Sequence, residues 1–137
     1  MCFDCESKRG KFDGKMELYF LSFVNVKYSF NDLVKIMDKL RSPEGCPWDR
    51  EQTTESLLPY LVEESCEFID AAQARDKAHM CEELGDVLFQ VVFHSKVAKE
   101  AGDYSIDDVV QVICEKMIRR HPHVFGEVKV ENSAGVV

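Results

Sequence analysis

Residues 61–93 read LVEESCEFIDAAQARDKAHMCEELGDVLFQVVF and contain two short acidic segments. Acidic segment 1 is Glu63–Glu67 and acidic segment 2 is Glu82–Asp86. Each contains two carboxylates three positions apart: Glu64 with Glu67, and Glu83 with Asp86. Residues with this spacing share one face of a helix. Two such helices packed side by side would bring four carboxylates to one place.

The helices predicted around these segments differ in their apolar pattern. The helix expected over residues 54–74 has apolar residues on one arc and its acids on the opposite arc, which by itself is typical of a solvated face. The helix expected over residues 77–101 is apolar around nearly its whole circumference and should be buried on several sides. On this second helix, Glu82 and Asp86 lie on the same stripe as the apolar residue Phe89. Carboxylates on a buried stripe are neutralised, paired or metal-bound.

The shortage of basic partners favours a cation at this place. Residues 54–74 contain no lysine or arginine. Like charges about 4 Å apart repel by roughly 4 kcal/mol at an effective dielectric constant near 20, and a divalent cation removes this conflict. Oxygen-only ligands indicate Mg²⁺, Mn²⁺ or Ca²⁺ rather than zinc. An acidic interaction module without a metal stays open, whereas a di-iron centre is disfavoured because its helices need Glu-x-x-His pairs.

Two further helices are expected, over residues 31–40 and 105–120, with Ser29 or Asn31 capping the first and Ser105 with Asp108 forming a capping box on the second. Two prolines and a glycine predict a loop over residues 42–49. The chain is therefore predicted to be all-α, an antiparallel bundle of about four helices. Because one small bundle cannot bury the apolar helix, we expect a homodimer or higher oligomer to complete it.

Composition indicates one domain of 137 residues with a net charge of −8. Residues 51–86 contain ten acidic and two basic residues, which argues against nucleic acid as a partner. No segment is long and apolar enough to suggest a membrane span. Six cysteines without a signal peptide indicate reduced thiols and a cytoplasmic protein. The expected organisation is an N-terminal extension (1–30), one domain (31–128) and a short tail (129–137).

Two other features have both a structural and a functional interpretation. Trp48 in the predicted loop either covers the edge of the core, which we favour, or stacks on a flat ligand. Arg119, Arg120 and His121 end the last predicted helix, where cations interact favourably with the helix dipole. The same three side chains are also suited to receiving phosphate charge.

Several motifs occur together in one order: Gly45-Cys46-Pro47-Trp48-Asp49, Glu63-Glu64-x-x-Glu67, Glu83-x-x-Asp86 and Arg119-Arg120-His121-Pro122-His123-Val124-Phe125-Gly126. Together they strongly resemble the MazG family, nucleoside triphosphate pyrophosphohydrolases of the all-α type. The resemblance covers about residues 33–128. It implies hydrolysis of an NTP or dNTP to the monophosphate and pyrophosphate, as part of nucleotide housekeeping.

Residue by residue, the resemblance implies that Mg²⁺, with Mn²⁺ as a possible substitute, is ligated by four carboxylates: Glu64, Glu67, Glu83 and Asp86. It implies a catalytic set of Glu63, Glu64 and Glu67, in which Glu63 orients or deprotonates water. Substrate-binding residues would be Trp48, Arg119, Arg120 and His121. The family motif continues into a helix with a tryptophan and a lysine that residues 130–137 do not contain. The alternative is therefore a weakened or inactive MazG-like dimer acting as an interaction module.

Overall fold

A computed structural model describes residues 27–126 of the chain. Within this range the structure contains helices and no strand, which confirms the all-α class. The helices are α1 (Phe30–Leu40), α2 (Pro47–Glu51), α3 (Thr54–Ala74), α4 (Lys77–Ala101), α5 (Ile106–Arg120) and α6 (Pro122–Phe125). The predicted extension, up to residue 26, and the predicted tail lie outside the described residues.

The four longer helices match the four predicted ones, and local capping explains why their starts were predictable. The Ser29 hydroxyl accepts a hydrogen bond from the Asp32 N–H, and the Asp32 carboxylate accepts one from the Ser29 N–H at 2.9 Å. Ser105 and Asp108 form the same capping box at the start of α5. Each box satisfies backbone donors that have no partner within the helix, which stabilises the start by about 1 kcal/mol.

Helix α2 corrects the last part of the loop predicted over residues 42–49: residues 42–46 contain no helix, as predicted, whereas residues 47–49 belong to α2. Pro47 occupies the first turn of α2, where its missing N–H costs no hydrogen bond and its fixed φ suits a helix. Proline therefore starts a helix here instead of excluding one. The Arg41 guanidinium holds α2 in place by donating to the backbone carbonyls of Asp49 and, at 3.2 Å, Gln52.

The described residues fall into two compact units, and the division lies between His94 and Ser95. In the first unit, three helices contribute to one apolar core, whose buried side chains are Met37 from α1, Leu57 and Ala71 from α3, and Val92 and Phe93 from α4. Phe93 packs edge-on against Phe89 with ring centroids 5.8 Å apart. The Arg41 guanidinium lies 5.6 Å from the Phe93 ring centroid, so one arginine contacts both α2 and the core.

The orientation of α3 differs from the prediction. Its buried residues Leu57, Glu64 and Ala71 follow a seven-residue spacing, so one carboxylate points inward with the core. Leu58, Val62 and Ile69, which the helical wheel placed on the apolar arc, are half or more exposed in this chain. Helix α4 has a similar exposed apolar row. We call these six residues the exposed apolar stripe: Leu58, Val62, Ile69, Leu84, Leu88 and Val91.

Within residues 27–126, no helix is long and apolar enough to cross a membrane. The four cysteines in this range are free thiols: Cys46, Cys66, Cys81 and Cys114.

Candidate metal centre

A two-residue turn between α3 and α4 sets the geometry of the site. Arg75 adopts the left-handed conformation (φ 57°), and its N–H donates to the last carbonyls of α3. The Asp76 carboxylate then accepts from the backbone N–H groups of Ala78 and His79 at 3.1 and 3.2 Å, which caps the start of α4. A connection this short makes α3 and α4 an antiparallel helical hairpin.

The hairpin brings the two acidic segments to the same height. Glu67 and Glu83 each lie eight residues from Arg75, and Glu64 and Asp86 each lie eleven residues from it. Since both helices rise 1.5 Å per residue, residues equidistant from the turn lie at about the same height along the hairpin. The sequence spacing about Arg75 therefore brings the four carboxylates to neighbouring heights.

Three of the four predicted ligands form a tight cluster. One carboxylate oxygen each of Glu64, Glu83 and Asp86 lies within 4.8 Å of the other two. Glu64 is only 2% exposed and Glu83 5%, whereas Asp86 is half-buried. Glu67 is exposed on α3, and its negative charge acts on both Glu64 and Asp86. Glu67 thus lies at the rim of the cluster.

The cluster is electrostatically strained without a cation. Burial raises the pKa of the Glu64 carboxyl, and the negative charges of Asp86 and Glu67 raise it further. Burial also raises the pKa of Asp86, followed by the charges of Glu82 and Glu67. The Oε2 atoms of Glu64 and Glu83 are buried and accept no hydrogen bond from any residue the structure describes. Because a buried polar atom without a partner costs free energy, these oxygens are suited to a cation that supplies the missing contact.

The arrangement within acidic segment 2 differs in one respect from the prediction. Glu82, which the wheel placed on the buried stripe, is exposed, and Glu83 is the buried member. The other oxygen of Glu83, Oε1, lies 2.7 Å from Nε2 of His79 on the preceding turn. His79 was not among the predicted site residues, although its position four residues before Glu83 is the spacing at which helical side chains meet.

Helix α4 continues its polar face beyond the acidic cluster. Gln90 is 1% exposed, and its Oε1 has no hydrogen-bond donor among the described residues. Nε2 of His94 is also buried and has no hydrogen-bond partner among the described residues. Burial lowers the pKa of this imidazole. Both positions lie on the face of Glu83, at spacings of seven and eleven residues. Neither residue was among the predicted site residues, because apolar residues cover nearly the whole circumference of this helix.

The remaining predicted site residues lie elsewhere in the chain. Glu63 is exposed on α3 and does not belong to the three-residue cluster. Trp48 is half-buried in α2 and packs edge-on against Tyr60, with ring centroids 5.8 Å apart, an arrangement that suits its structural interpretation.

The basic segment Arg119–His121 belongs to the second unit. It lines an open pocket of about 640 Å³ at the end of α5, together with Met117 and Pro122. The His121 Nδ1 atom lies 2.7 Å from the Met117 carbonyl oxygen, which fixes the imidazole, while Arg119 and Arg120 are exposed. The pocket thus concentrates positive charge at one helix end.

Comparison with known proteins identifies the family. The model of the MazG nucleotide pyrophosphohydrolase domain matches residues 52–125, which contain both acidic segments and the basic segment. The chain is 60% identical over 98 residues to the nucleoside triphosphate pyrophosphohydrolase/pyrophosphatase MazG of Thermotoga maritima. The chain belongs to the MazG family.

Other MazG relatives agree in sequence and in structure. The nucleoside triphosphate pyrophosphohydrolase of Escherichia coli K12 is 47% identical over 106 residues. A crystal structure of a mazG-related protein from Thermotoga maritima superposes with a TM-score of 0.64 at 30% identity, covering 76% of this chain and 90% of that one. The matches cover 72% and 77% of this MazG chain but only 38% of the Thermotoga relative and 40% of the Escherichia relative.

Proposed function

We propose that this chain is a Mg²⁺-dependent pyrophosphohydrolase that cleaves a nucleoside triphosphate between its α and β phosphates. The observation that carries the proposal is the cluster of Glu64, Glu83 and Asp86, whose ligand oxygens lie within 4.8 Å of one another. Two of these carboxylates have a buried oxygen without a hydrogen-bond partner in the described range. Relatives named as nucleoside triphosphate pyrophosphohydrolases support the substrate class.

The residues present fit a hard divalent cation. All donors are carboxylate oxygens, the ligands that Mg²⁺ prefers, and no thiol or imidazole belongs to the cluster. We propose Glu64, Glu67, Glu83 and Asp86 as the ligands, with Mn²⁺ as a substitute for Mg²⁺. A bound Mg²⁺ supplies charge neutralisation for the phosphates and polarises the phosphorus toward attack.

The other residues have separate roles in this proposal. We propose that Glu63, which is exposed and precedes the proposed ligand Glu64 in the sequence, orients the attacking water and accepts its proton. Arg119, Arg120 and His121 stabilise the negative charge that develops on the leaving pyrophosphate. Trp48 stays a predicted nucleotide contact. The reaction consumes one water and yields a nucleoside monophosphate and pyrophosphate.

We also propose that two copies of the chain associate through the exposed apolar stripe. Val62 is 63% exposed and Leu84 is 54% exposed, and rows of such residues on neighbouring helices mark interaction surfaces. A second copy covers the stripe and completes the predicted bundle. Leu88→Glu should shift the mass measured by light scattering toward a monomer. An unchanged dimer would reject the stripe as the interface.

The remaining assignments are proposals of the same kind. The catalytic domain is proposed to span residues 31–128, between the N-terminal extension and the tail. We propose a cytoplasmic location, in keeping with the free thiols of the described cysteines.

The direct test is a pyrophosphate-release screen with canonical, deoxy, oxidised and deaminated nucleotides, each with Mg²⁺ and with a chelator. Glu67→Gln and Asp86→Asn should abolish release while circular dichroism shows an intact fold. Glu44→Gln is the matched control, because Glu44 is exposed in the segment between α1 and α2 and lies outside the cluster. Near-normal release by either site variant would reject those ligands.

A second candidate function is a MazG-like interaction module without turnover, which the exposed apolar stripe favours. This candidate predicts no hydrolysis of any nucleotide in the screen while the dimer persists. Measured Mg²⁺-dependent release of pyrophosphate by the wild-type chain would exclude it.

A further inference from the structure

We infer that His79 is a positioning residue for the cation site, in which its imidazole holds Oε1 of Glu83 so that Oε2 faces the cation. The inference rests on the proposed function, because it assigns a role within the proposed Mg²⁺ site. The carrying observation is the 2.7 Å contact between Nε2 of His79 and Oε1 of Glu83.

The two oxygens of Glu83 have different surroundings. Oε1 meets the half-exposed His79 side chain, whereas Oε2 is buried and has no hydrogen-bond partner among the residues described. An imidazole N–H that donates to Oε1 fixes the rotation of the carboxylate about its last side-chain bond. One oxygen is then anchored, and we infer that the other, which is buried without a partner among the described residues, faces a cation held with Glu64 and Asp86.

His79 is itself anchored to the turn that defines the site. Its backbone N–H donates to Oδ1 of Asp76 at 3.2 Å, in the cap that begins α4. Its side chain reaches Glu83 one turn further along the helix. A continuous series of contacts therefore connects the turn, through His79, to a proposed ligand.

Glu83 needs such an anchor because its neighbours repel it. Glu64 and Asp86 each place a carboxylate oxygen within 4.8 Å of that of Glu83. Without the hydrogen bond to His79, the carboxylate gains freedom to rotate away from the other two charges. Partners that orient metal ligands in this way change metal affinity by about 10- to 100-fold.

The test measures binding of Mn²⁺ alone, without nucleotide, by isothermal titration calorimetry on the full chain. Four variants are compared with wild type: His79→Ala, His79→Leu, His79→Gln and Lys77→Ala. Leucine keeps the bulk of the side chain without a donor, and glutamine restores an N–H donor. Lys77→Ala is the control, because Lys77 is exposed in the same first turn of α4.

We expect His79→Ala and His79→Leu to weaken Mn²⁺ binding by about 10- to 100-fold, and His79→Gln to recover most of the loss. Lys77→Ala should bind as wild type does. Without metal, His79→Leu should unfold at a lower temperature than His79→Gln, because Oε1 of Glu83 loses its donor. The titrations are therefore made where circular dichroism shows every variant folded, and a purely structural role would lower the unfolding temperature of His79→Leu without lowering its Mn²⁺ affinity. If alanine destabilises the fold, the glutamine and leucine variants still decide the question.

Two results would overturn the inference, and they are distinguishable. Equal Mn²⁺ affinity in wild type, His79→Leu and His79→Gln would remove the positioning role and leave the proposed metal site standing. Absence of Mn²⁺ and Mg²⁺ binding by wild type would overturn the proposed function and the inference together.

Discussion

Replacing Glu64 by glutamine should stabilise the metal-free protein and remove its response to Mg²⁺. Glu64 is 2% exposed and has a carboxylate oxygen within 4.8 Å of the corresponding oxygens of Glu83 and Asp86. Glutamine keeps the shape of the side chain but removes one negative charge. Its amide N–H₂ can also donate to a neighbouring carboxylate, which a glutamate ion cannot do.

The magnitude follows from the distances. Two unit charges 4.8 Å apart, the largest separation in the cluster, repel by about 3.5 kcal/mol at an effective dielectric constant near 20, so two fully charged neighbours at this separation would repel Glu64 by about 7 kcal/mol. Protonation and side-chain movement relieve part of this repulsion. We therefore expect Glu64→Gln to raise the free energy of unfolding by about 1–3 kcal/mol without metal. For a domain of this size, that raises Tm by about 4–12 °C.

Mg²⁺ should reverse the order of stability. At a Mg²⁺ concentration 100 times its Kd, binding stabilises the wild-type protein by about 2.7 kcal/mol, or about 10 °C in Tm. The variant has lost a buried ligand and should gain much less. Wild type is thus the less stable protein in EDTA, and Mg²⁺ should close or invert the difference.

The assay is thermal unfolding followed by circular dichroism at pH 7.5, in EDTA and in excess MgCl₂. Glu44→Gln serves as the control, because it removes a charge from an exposed carboxylate. A lower Tm for Glu64→Gln than for wild type in EDTA would refute the repulsion argument. An equal rise in Tm with Mg²⁺ in both proteins would refute the role of Glu64 as a ligand.

Three further predictions concern the backbone and pH. Gly45→Ala should lower the free energy of unfolding by more than about 2 kcal/mol in urea denaturation, because a Cβ there would overlap the Leu40 carbonyl oxygen. Gly85→Ala should raise it by up to about 1 kcal/mol, because a Cβ there meets no atom within 4 Å and alanine favours a helix; a loss of stability would contradict this. The amount by which Glu64→Gln exceeds wild type in metal-free Tm should grow between pH 5 and pH 8. Because the pKa of Glu64 is raised in the folded state, its stability contribution falls as pH rises through this range, whereas the opposite contribution of His94, whose pKa is lowered, is present in both proteins and cancels. A difference in Tm that stays constant between these pH values would refute that coupling.

The features that the sequence predicted best are those that depend only on residues close together in the chain. The starts of α1 and α5 follow from capping boxes at Ser29 and Ser105, whose partners lie three residues away. The pattern of four carboxylates could also be recognised in the sequence, because each of the two predicted helices contains a pair of carboxylates three residues apart. Helix α2 was missed because Pro47 breaks a helix in its interior but suits its first turn.

What the sequence could not decide was which face of each helix the fold buries. The helical wheel placed Glu64 opposite the apolar arc, yet Glu64 is buried and Leu58 is half exposed. A wheel assumes that buried positions are apolar, and this assumption fails where a buried cluster of charges has a function. The same reasoning selected Glu82 in place of Glu83 as the buried carboxylate.

The two-residue turn at Arg75 also bears on how the protein folds. The four proposed ligands fall within 23 consecutive residues, so only a short loop must close to bring them together. Because closing a short loop costs little entropy, we expect these contacts to form early in folding, before the distant parts of the core assemble. At that moment the hairpin brings like charges together, and their repulsion opposes its closure. A divalent cation in solution should therefore accelerate refolding as well as stabilise the product, so the ion proposed for the reaction would also assist assembly of its own site.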